Sequence, residues 1–289
     1  MTRFTQSGAT GAYSRTIGNT WRPAKRLKHL TLIPSNQTSF ELVHFTDPHL
    51  FGDPARALRG VPTLPALRAV LSAAREHIAA AEAILATGDL VQDDPGGYAH
   101  FRAEFAALGR PVLCIPGNHD IVPAMQAELT GPPFQLGGTW DAHNWRVILL
   151  DSSVAGETSG AIDASALHWL EQCLIHAGGR QVLVCLHHHP IPMKSRWLDT
   201  VGLTNGSAFT ALLRRFAAVR AVLFGHVHQD FDRDVEGLRM IATPSTCSQF
   251  KPGSDDFAID AAPPAWRRLT LHADGRLESQ LHWLADWRA

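Results

Sequence analysis

The chain lacks several features that would have placed it at once. No apolar run approaches the roughly 20 residues that cross a bilayer as a helix, which argues against a membrane-spanning protein. No apolar core of a secretory signal is present near the start. The four cysteines (Cys114, Cys173, Cys185, Cys247) form no CxxC pair, which disfavours a structural zinc site. Cys114 and Cys185 sit inside apolar runs, and Cys173 falls on an apolar helical face. They read as small buried hydrophobes in a reducing compartment, so a cytoplasmic protein is expected. Charge of one sign is also missing: 26 Lys and Arg stand against 27 Asp and Glu. Nothing in that balance calls for nucleic acid or an anionic membrane as partner.

What is present is a 289-residue chain with 45% hydrophobic residues, enough for a sizeable globular core. Six of the basic residues (Arg3, Arg15, Arg22, Lys25, Arg26, Lys28) fall within residues 1–40, where no acid occurs. Residues 1–39 therefore read as a basic, disordered tail, with a transit peptide as the other reading of that composition. Residues 40–289 read as one catalytic domain, with no internal repeat and no linker. The outlying residue type is histidine, with 16 copies, many of them clustered.

Periodicity gives an alternating pattern. Strands are expected at 40–45, 83–86, 111–115, 145–150, 181–186 and 220–224. Helices are expected between them: over 63–80 (Leu64, Leu67, Val70, Leu71, Ala74, Ile78), around Tyr98 to Leu108, after residue 120, around Leu167 to Ala177, and around Phe209 to Phe216. Asp163 or Ser165 is the expected N-cap of the fourth, with Gly178-Gly179 ending it. Strands at 238–243 and 266–271, then a turn at Asp274-Gly275 into 276–284, close the chain as an antiparallel region. This is an α/β chain with two sheets or one mixed sheet.

The strand ends carry the chemistry. The first ends in Asp47-Pro48-His49, the second in Gly88-Asp89, the third in Pro116-Gly117-Asn118-His119-Asp120. Later ones end in His187-His188-His189 and in Gly225-His226-Val227-His228. Each alone is an ordinary turn. Five together, at equivalent places on the binding edge of an open sheet, are not. Residues i and i+2 of an extended chain point one way, so Asp47 with His49, and His226 with His228, are each expected to face one centre. Imidazole, carboxylate and amide oxygen suit iron, manganese or zinc. The set exceeds the needs of one ion and suits two, about 3.5–4 Å apart, sharing a carboxylate. Asp89, alone on its strand, is the expected bridge.

The ordered series Asp-x-His, Gly-Asp, Gly-Asn-His-Asp, His-x-Pro and Gly-His-x-His resembles the calcineurin-like metallophosphoesterase superfamily over about residues 40–285. The resemblance implies a four-layer αββα sandwich of two mixed sheets flanked by helices. It implies one ion on Asp47, His49, Asp89 and His228, and another on Asp89, Asn118, His188 and His226. His188 is chosen over His187 and His189 because the ligand precedes Pro190 by two positions. It implies His119 as general acid or transition-state stabiliser, and His49, Asp89, Asn118, His119 and His228 as the residues around the substrate. Three stretches (Thr46 to Phe51; His187 to Pro190 with Trp197 to Asp199; Thr243 to Pro252) are similar to the bacterial class III 3′,5′-cyclic AMP phosphodiesterases. The basic tail and Pro48 depart from that pattern without removing a ligand.

The function implied is hydrolysis of cyclic AMP to 5′-AMP by in-line attack of a hydroxide held between the two ions. The same centre would serve another phosphodiester or a pyrophosphate, such as a glycerophosphodiester or a nucleotide-linked lipid precursor. A non-catalytic scaffold would need missing ligands, and none is missing. A nuclease would need a basic stripe, whereas acids exceed bases beyond the tail. The expected partner is a small cyclic nucleotide. The oligomeric state is open, a homodimer included. The loops 197–205 and 243–250 are the candidates for the base pocket.

Overall fold

The computed structural model describes residues 38–285 and 287. The basic stretch 1–37 lies outside them, so the tail reading is not addressed. The chain begins with β1 (Ser39–Phe45), a short hairpin of β2 (Ala57–Leu58) and β3 (Val61–Pro62), and helices α1 (Thr63–Ala73) and α2 (Arg75–Ala80). Then follow β4 (Ala83–Thr87), α3 (Gly97–Ala106), β5 (Val112–Ile115), α4 (Val122–Glu128) and β6 (Phe134–Leu136). The second half runs β7 (Gly138–Ala142), β8 (Trp145–Leu149), α5 (Ala164–Ile175), β9 (Gln181–Cys185), α6 (Arg196–Asp199), α7 (Gly206–Leu213) and β10 (Val219–Phe224). It closes with β11 (Phe231–Val235), β12 (Leu238–Ala242), β13 (Gln249–Phe250), β14 (Ile259–Asp260), β15 (Ala265–His272) and β16 (Leu277–Trp283).

Two six-stranded sheets result, ordered β16-β15-β1-β4-β5-β6 and β11-β12-β10-β9-β8-β7. Parallel pairing joins β1, β4, β5 and the edge strand β6 in the first, and β8, β9, β10 and β12 in the second. The antiparallel strands sit at the edges, where β-hairpins require no crossover.

Alternation along the strands explains the layers. In β1 and β4, Phe40, Leu42, Ala83 and Leu85 face the other sheet and meet Trp145, Val147, Leu183, Ala221 and Leu223. Their neighbours Val43, Phe45, Ile84 and Ala86 face outward, onto Leu67, Val70 and Phe101 of the helices. The second sheet does the same, with Val182, Val184, Val222 and Phe224 against Leu170, Leu174, Phe209 and Leu213. Helix, sheet, sheet, helix is the four-layer sandwich that the family resemblance implied, and it decides for two sheets over one mixed sheet.

The elements differ from the sequence reading in detail. The helix expected over 63–80 is two, divided at Ala74 (φ −82°, ψ 0°), although Ala74 N and Ile78 N still donate across the joint. Of the two expected N-cap candidates, Asp163 caps α5, its carboxylate accepting from Ala166 N. The strands β6, β7 and β11, the short pairs β2–β3 and β13–β14 and helix α6 were not expected, and β12, expected in a closing antiparallel region, pairs parallel to β10.

Candidate metal centre

The strands that carry the expected residues come from both sheets. β1, β4 and β5 deliver Asp47, His49, Asp89, Asn118 and His119; β9 and β10 deliver His187, His188, His226 and His228. The two sheets present these ends side by side. The result is two buried groups, Asp47 with His49 and His228, and His187 with His188 and His226, with Asp89 adjoining both.

The backbone gets there differently from the sequence expectation. Asp47, His49, Asp89, His226 and His228 are not extended; their φ angles are +54°, +48°, +49°, +67° and +48°. Left-handed backbone at non-glycine residues is costly and gathers at functional sites. The left-handed turn at His226 also separates it from His228. His226 joins His187, while His228 joins His49, so the pair serves two groups rather than one. Gly117 is demanded by crowding. A Cβ there would lie against the Asp89 carboxylate and 2.7 Å from His187 Cε1.

In the first group, His228 Nε2 lies 3.2 Å from Asp47 Oδ1 and 3.1 Å from His49 Nε2. His49 Nε2 lies 3.9 Å from Asp47 Oδ1 and 3.8 Å from Asp89 Oδ2. His228 Nδ1 donates to Ser248 O at 2.6 Å. Its Nε2 is thereby left as a lone pair aimed at a carboxylate and a second imidazole.

In the second group, His187 Nδ1 donates to Thr87 O at 2.7 Å. Its Nε2 faces Asn118 Oδ1 at 3.3 Å, Asp89 Oδ2 at 3.4 Å and His226 Nδ1 at 3.2 Å. Asp89 Oδ1 accepts from His119 N at 2.9 Å, which turns Oδ2 toward both groups. His188 Nδ1 lies 2.8 Å from Ser152 Oγ, and its buried Nε2 has no hydrogen-bond partner among the described residues. The contacts thus rank His187 ahead of His188, the choice made from the sequence.

These groups fit cations. Electron pairs converge from several sides in a dry site, and few protons are available to separate them. Buried His49 Nδ1, His188 Nε2 and His226 Nε2 also have no hydrogen-bond partner among the described residues. The distances between donor atoms, 3.1–3.9 Å, leave room for an ion at ordinary ligand distance from each. Backbone carbonyls on the far nitrogens of His187 and His228 fix the tautomers of these two rings, as metal-ligating histidines require. Charge follows the same layout. Burial would raise the Asp47 and Asp89 carboxyls, but facing imidazoles (His228 and His187) hold both below the usual range. Burial pushes His49 down to about 3. Burial also opposes charge on His187, but Asp89 raises it to about 9.

His119 stands slightly apart. Its side chain is 30% exposed, its Nδ1 lies 2.9 Å from Asp93 Oδ2, and its ring is edge-on to His49 at 5.4 Å. Gln92 Nε2 donates to the same Asp93 oxygen at 2.8 Å. The next residue, Asp120, does something else. Oδ2 accepts from Gly117 N (2.8 Å) and Leu90 N (3.1 Å); Oδ1 accepts from Tyr98 OH (2.8 Å) and Val91 N (3.3 Å). Asp120 clamps the loop after β4 to the loop after β5.

Several residues of the site escaped the sequence reading: Asp93 and Gln92 on His119, Ser152 on His188, and the carbonyls of Thr87 and Ser248. Carbonyl partners leave no side-chain signal. The stretch 243–250 turns out to brace the first group. Ser245 Oγ donates to Asp47 O, Thr246 N to Thr46 O, and Phe250 stacks on the His228 ring at 4.1 Å and 7°. Its residues are buried, so it offers a base little surface.

Residues 40–230 match the family model described as Calcineurin-like phosphoesterase. The chain is 41% identical over 261 residues to the 3′,5′-cyclic adenosine monophosphate phosphodiesterase CpdA of Escherichia coli strain K12, covering 90% of this chain and 95% of that one. It is 41% identical over 254 residues to the protein of the same description from Pseudomonas aeruginosa, covering 88% and 93%. A 3′,5′-cyclic-nucleotide phosphodiesterase of Nostoc is 34% identical over 235 residues, covering 81% and 88%. Among solved structures, a dimetal phosphatase from Danio rerio aligns with a TM-score of 0.59 at 16% identity, over 86% of this chain and all of that one. GAP50, an anchor in the inner membrane complex of Plasmodium, also reaches 0.59, at 11% identity over 87% of each chain. A phosphatase and an anchor share the sandwich equally, so the fold by itself does not choose the chemistry.

Proposed function

The chain belongs to the calcineurin-like phosphoesterase family, and from that premise we propose that it hydrolyses 3′,5′-cyclic AMP to 5′-AMP at the paired buried groups. It is a 3′,5′-cyclic-nucleotide phosphodiesterase, a hydrolase of the metallophosphoesterase kind. The observation that carries the substrate is similarity over nearly the whole of both chains to relatives described as cyclic AMP phosphodiesterases.

In this reading Asp47, His49, His228 and Asp89 would hold one ion, and Asp89, Asn118, His187 and His226 would hold the other. Iron, manganese and zinc all suit these donors. When bound, the two ions supply positive charge for the phosphate oxygens and acidify the attacking water. The residues do the rest. Asp89 keeps the two groups in register through Oδ2 because His119 N holds its other oxygen. Asn118 adds a neutral oxygen, which limits the negative charge facing a phosphodiester. His119 Nδ1 lies 2.9 Å from Asp93 Oδ2 and 2.7 Å from Gln92 Nε2, which leaves Nε2 for the substrate; as an imidazolium, its Nδ1–H held by Asp93, it would protonate the departing ribose oxygen or stabilise charge on the phosphate from Nε2–H. His188 supports the second group from the Ser152 side.

The four cysteines are free, three of them buried, which supports a reducing, cytoplasmic setting. No helix among the described residues is long and apolar enough to cross a membrane. The test is turnover by purified, metal-reconstituted protein on cyclic AMP, cyclic GMP and bis-para-nitrophenyl phosphate, with products identified. Cyclic AMP should yield 5′-AMP. Activity confined to the synthetic diester would overturn the cyclic-nucleotide reading and keep the phosphodiesterase one.

A further inference from the structure

An open groove of about 480 Å³ lies beside the metal centre, lined by Phe51, Arg56, Leu58, Gln92, Asp93 and Pro95 among others. Gln92 and Asp93 are the residues that meet at His119, so the groove begins where His119 ends. Its lining suits a flat heterocycle. The Arg56 guanidinium lies 4.1 Å from the Phe51 ring centroid, and Leu58 and Pro95 add apolar surface. Its walls are set in advance. Asp94 accepts from Gly52 N at 2.9 Å and from Gly96 N at 3.0 Å. The β2–β3 hairpin turns at Arg59-Gly60, both with positive φ (+52° and +86°), as a two-residue hairpin requires. Arg59 lies 5.3 Å from the Phe250 ring and 4.9 Å from the Phe257 ring, which pins the hairpin tip.

We propose that this groove between the β2–β3 hairpin and residues 92–95 receives the nucleobase of a cyclic nucleotide, with Arg56 as its stacking surface. The proposal rests on the cyclic-nucleotide reading above. It moves the base pocket away from the loops 197–205 and 243–250. The test compares cyclic AMP with bis-para-nitrophenyl phosphate, which has no nucleobase, in Arg56→Ala and in Leu58→Trp, which fills the groove. The ratio of kcat/KM for cyclic AMP to that for the synthetic diester should fall about tenfold, through KM, as expected for one lost stacking contact. An unchanged ratio in both variants would overturn the groove assignment. Wild-type protein inert toward cyclic AMP but active on the diester would instead overturn the reading beneath it. Arg56 is on the surface, so its variant tests the proposal even where the Trp variant does not fold.

A second observation stands apart from the groove. His44 is fully buried between the sheets, with Nδ1 2.7 Å from Thr243 Oγ1 and Nε2 2.7 Å from Thr87 Oγ1. Thr87 Oγ1 donates to Thr46 Oγ1 at 2.9 Å, and Thr46 Oγ1 to Asp47 Oδ2 at 2.6 Å. Arg267, also buried, donates to Thr243 Oγ1 at 3.2 Å. Every proton in this chain has one direction. Thr46 and Thr87 spend their hydrogens toward Asp47, so His44 must donate from Nε2 and accept at Nδ1. Burial keeps the ring neutral, with its pKa lowered to about 3. We infer that His44 is a positioning residue that fixes which oxygen of Asp47 faces the first ion. The test is titration of metal-free protein with Mn²⁺ by calorimetry. His44→Leu and Thr46→Val should each weaken binding about 10- to 100-fold, the usual effect of a partner behind a ligand. His44→Gln, which keeps a donor and an acceptor, should recover part of it. Wild-type affinity in both His44→Leu and Thr46→Val would overturn the inference. Equal losses in the Leu and Gln variants would leave only a packing role for His44 and overturn it too.

Discussion

Replacing Asp120 by Ala should loosen the protein and its centre together. The carboxylate takes hydrogen bonds from three backbone N–H groups and a phenol, on loops following two different strands. Tyr98 OH in turn accepts from Ile121 N at 2.8 Å. A buried donor left without a partner costs on the order of 1–3 kcal/mol. Part of this is offset. The carboxyl is itself disfavoured, since burial and then Asp89 raise it from 3.8 to about 7. Water can also enter the space left behind. A net loss of about 3 kcal/mol is the reasoned value, which for a chain of this size lowers Tm by roughly 6–12 °C. Thermal unfolding followed by circular dichroism reads it directly. Asp120→Asn keeps one acceptor oxygen and should fall between. Because the same loops carry Asp89 and Asn118, bound metal should fall as well. A Tm within about 2 °C of wild type, with full turnover, would show that Asp120 is no clamp.

Other substitutions separate the roles of neighbouring groups. His187→Ala should remove the ion of the second group, measured as metal per chain, while His188→Ala lowers affinity without emptying the site; the reverse order would restore the choice made from the sequence. His119→Ala should lower kcat by about 10²–10⁴ and keep its metals, so loss of both ions would assign His119 to the wrong task. Asp93→Asn, which keeps the shape but not the charge on Nδ1, should lower kcat by a smaller factor and leave KM near its wild-type value. Gly117→Ala should displace Asp89 and abolish activity at nearly unchanged helix content, and retained turnover would show that the crowding around Gly117 relaxes easily.

The strand ends were legible because short apolar runs stopped abruptly at Asp, Asn and His, a pattern set by local sequence alone. The parallel runs β1, β4, β5 and β8, β9, β10 were legible for the same reason, whereas β12, expected in an antiparallel region, lies parallel to β10. Strands β6, β7 and β11 were not legible. Phe-Gln-Leu, Gly-Thr-Trp-Asp-Ala and Phe-Asp-Arg-Asp-Val are short or charged, as exposed sheet edges are, and carry no apolar stripe to detect. Within the site, residue types were legible and directions were not. The i, i+2 argument assumed extended backbone, whereas left-handed turns at His226 and His228 send them to different groups. His187 and His188 differ only in which way the chain turns after β9. The hydrogen bond to Thr87 O is what turns His187 Nε2 toward Asp89 in the proposed ligand set, and a carbonyl leaves no mark in sequence. The sequence left Asp120 without a role, because its four donors come from loops and a helix that meet only after folding.

The central claim is that Asp89 joins two metal ions into one centre. Metal analysis of wild type and Asp89→Ala, each reconstituted and assayed on cyclic AMP, tests it most directly. Wild type should carry two ions per chain. Asp89→Ala should lose at least one of them, together with turnover. Full activity from wild type with a single ion, or two ions and full activity in Asp89→Ala, would contradict it.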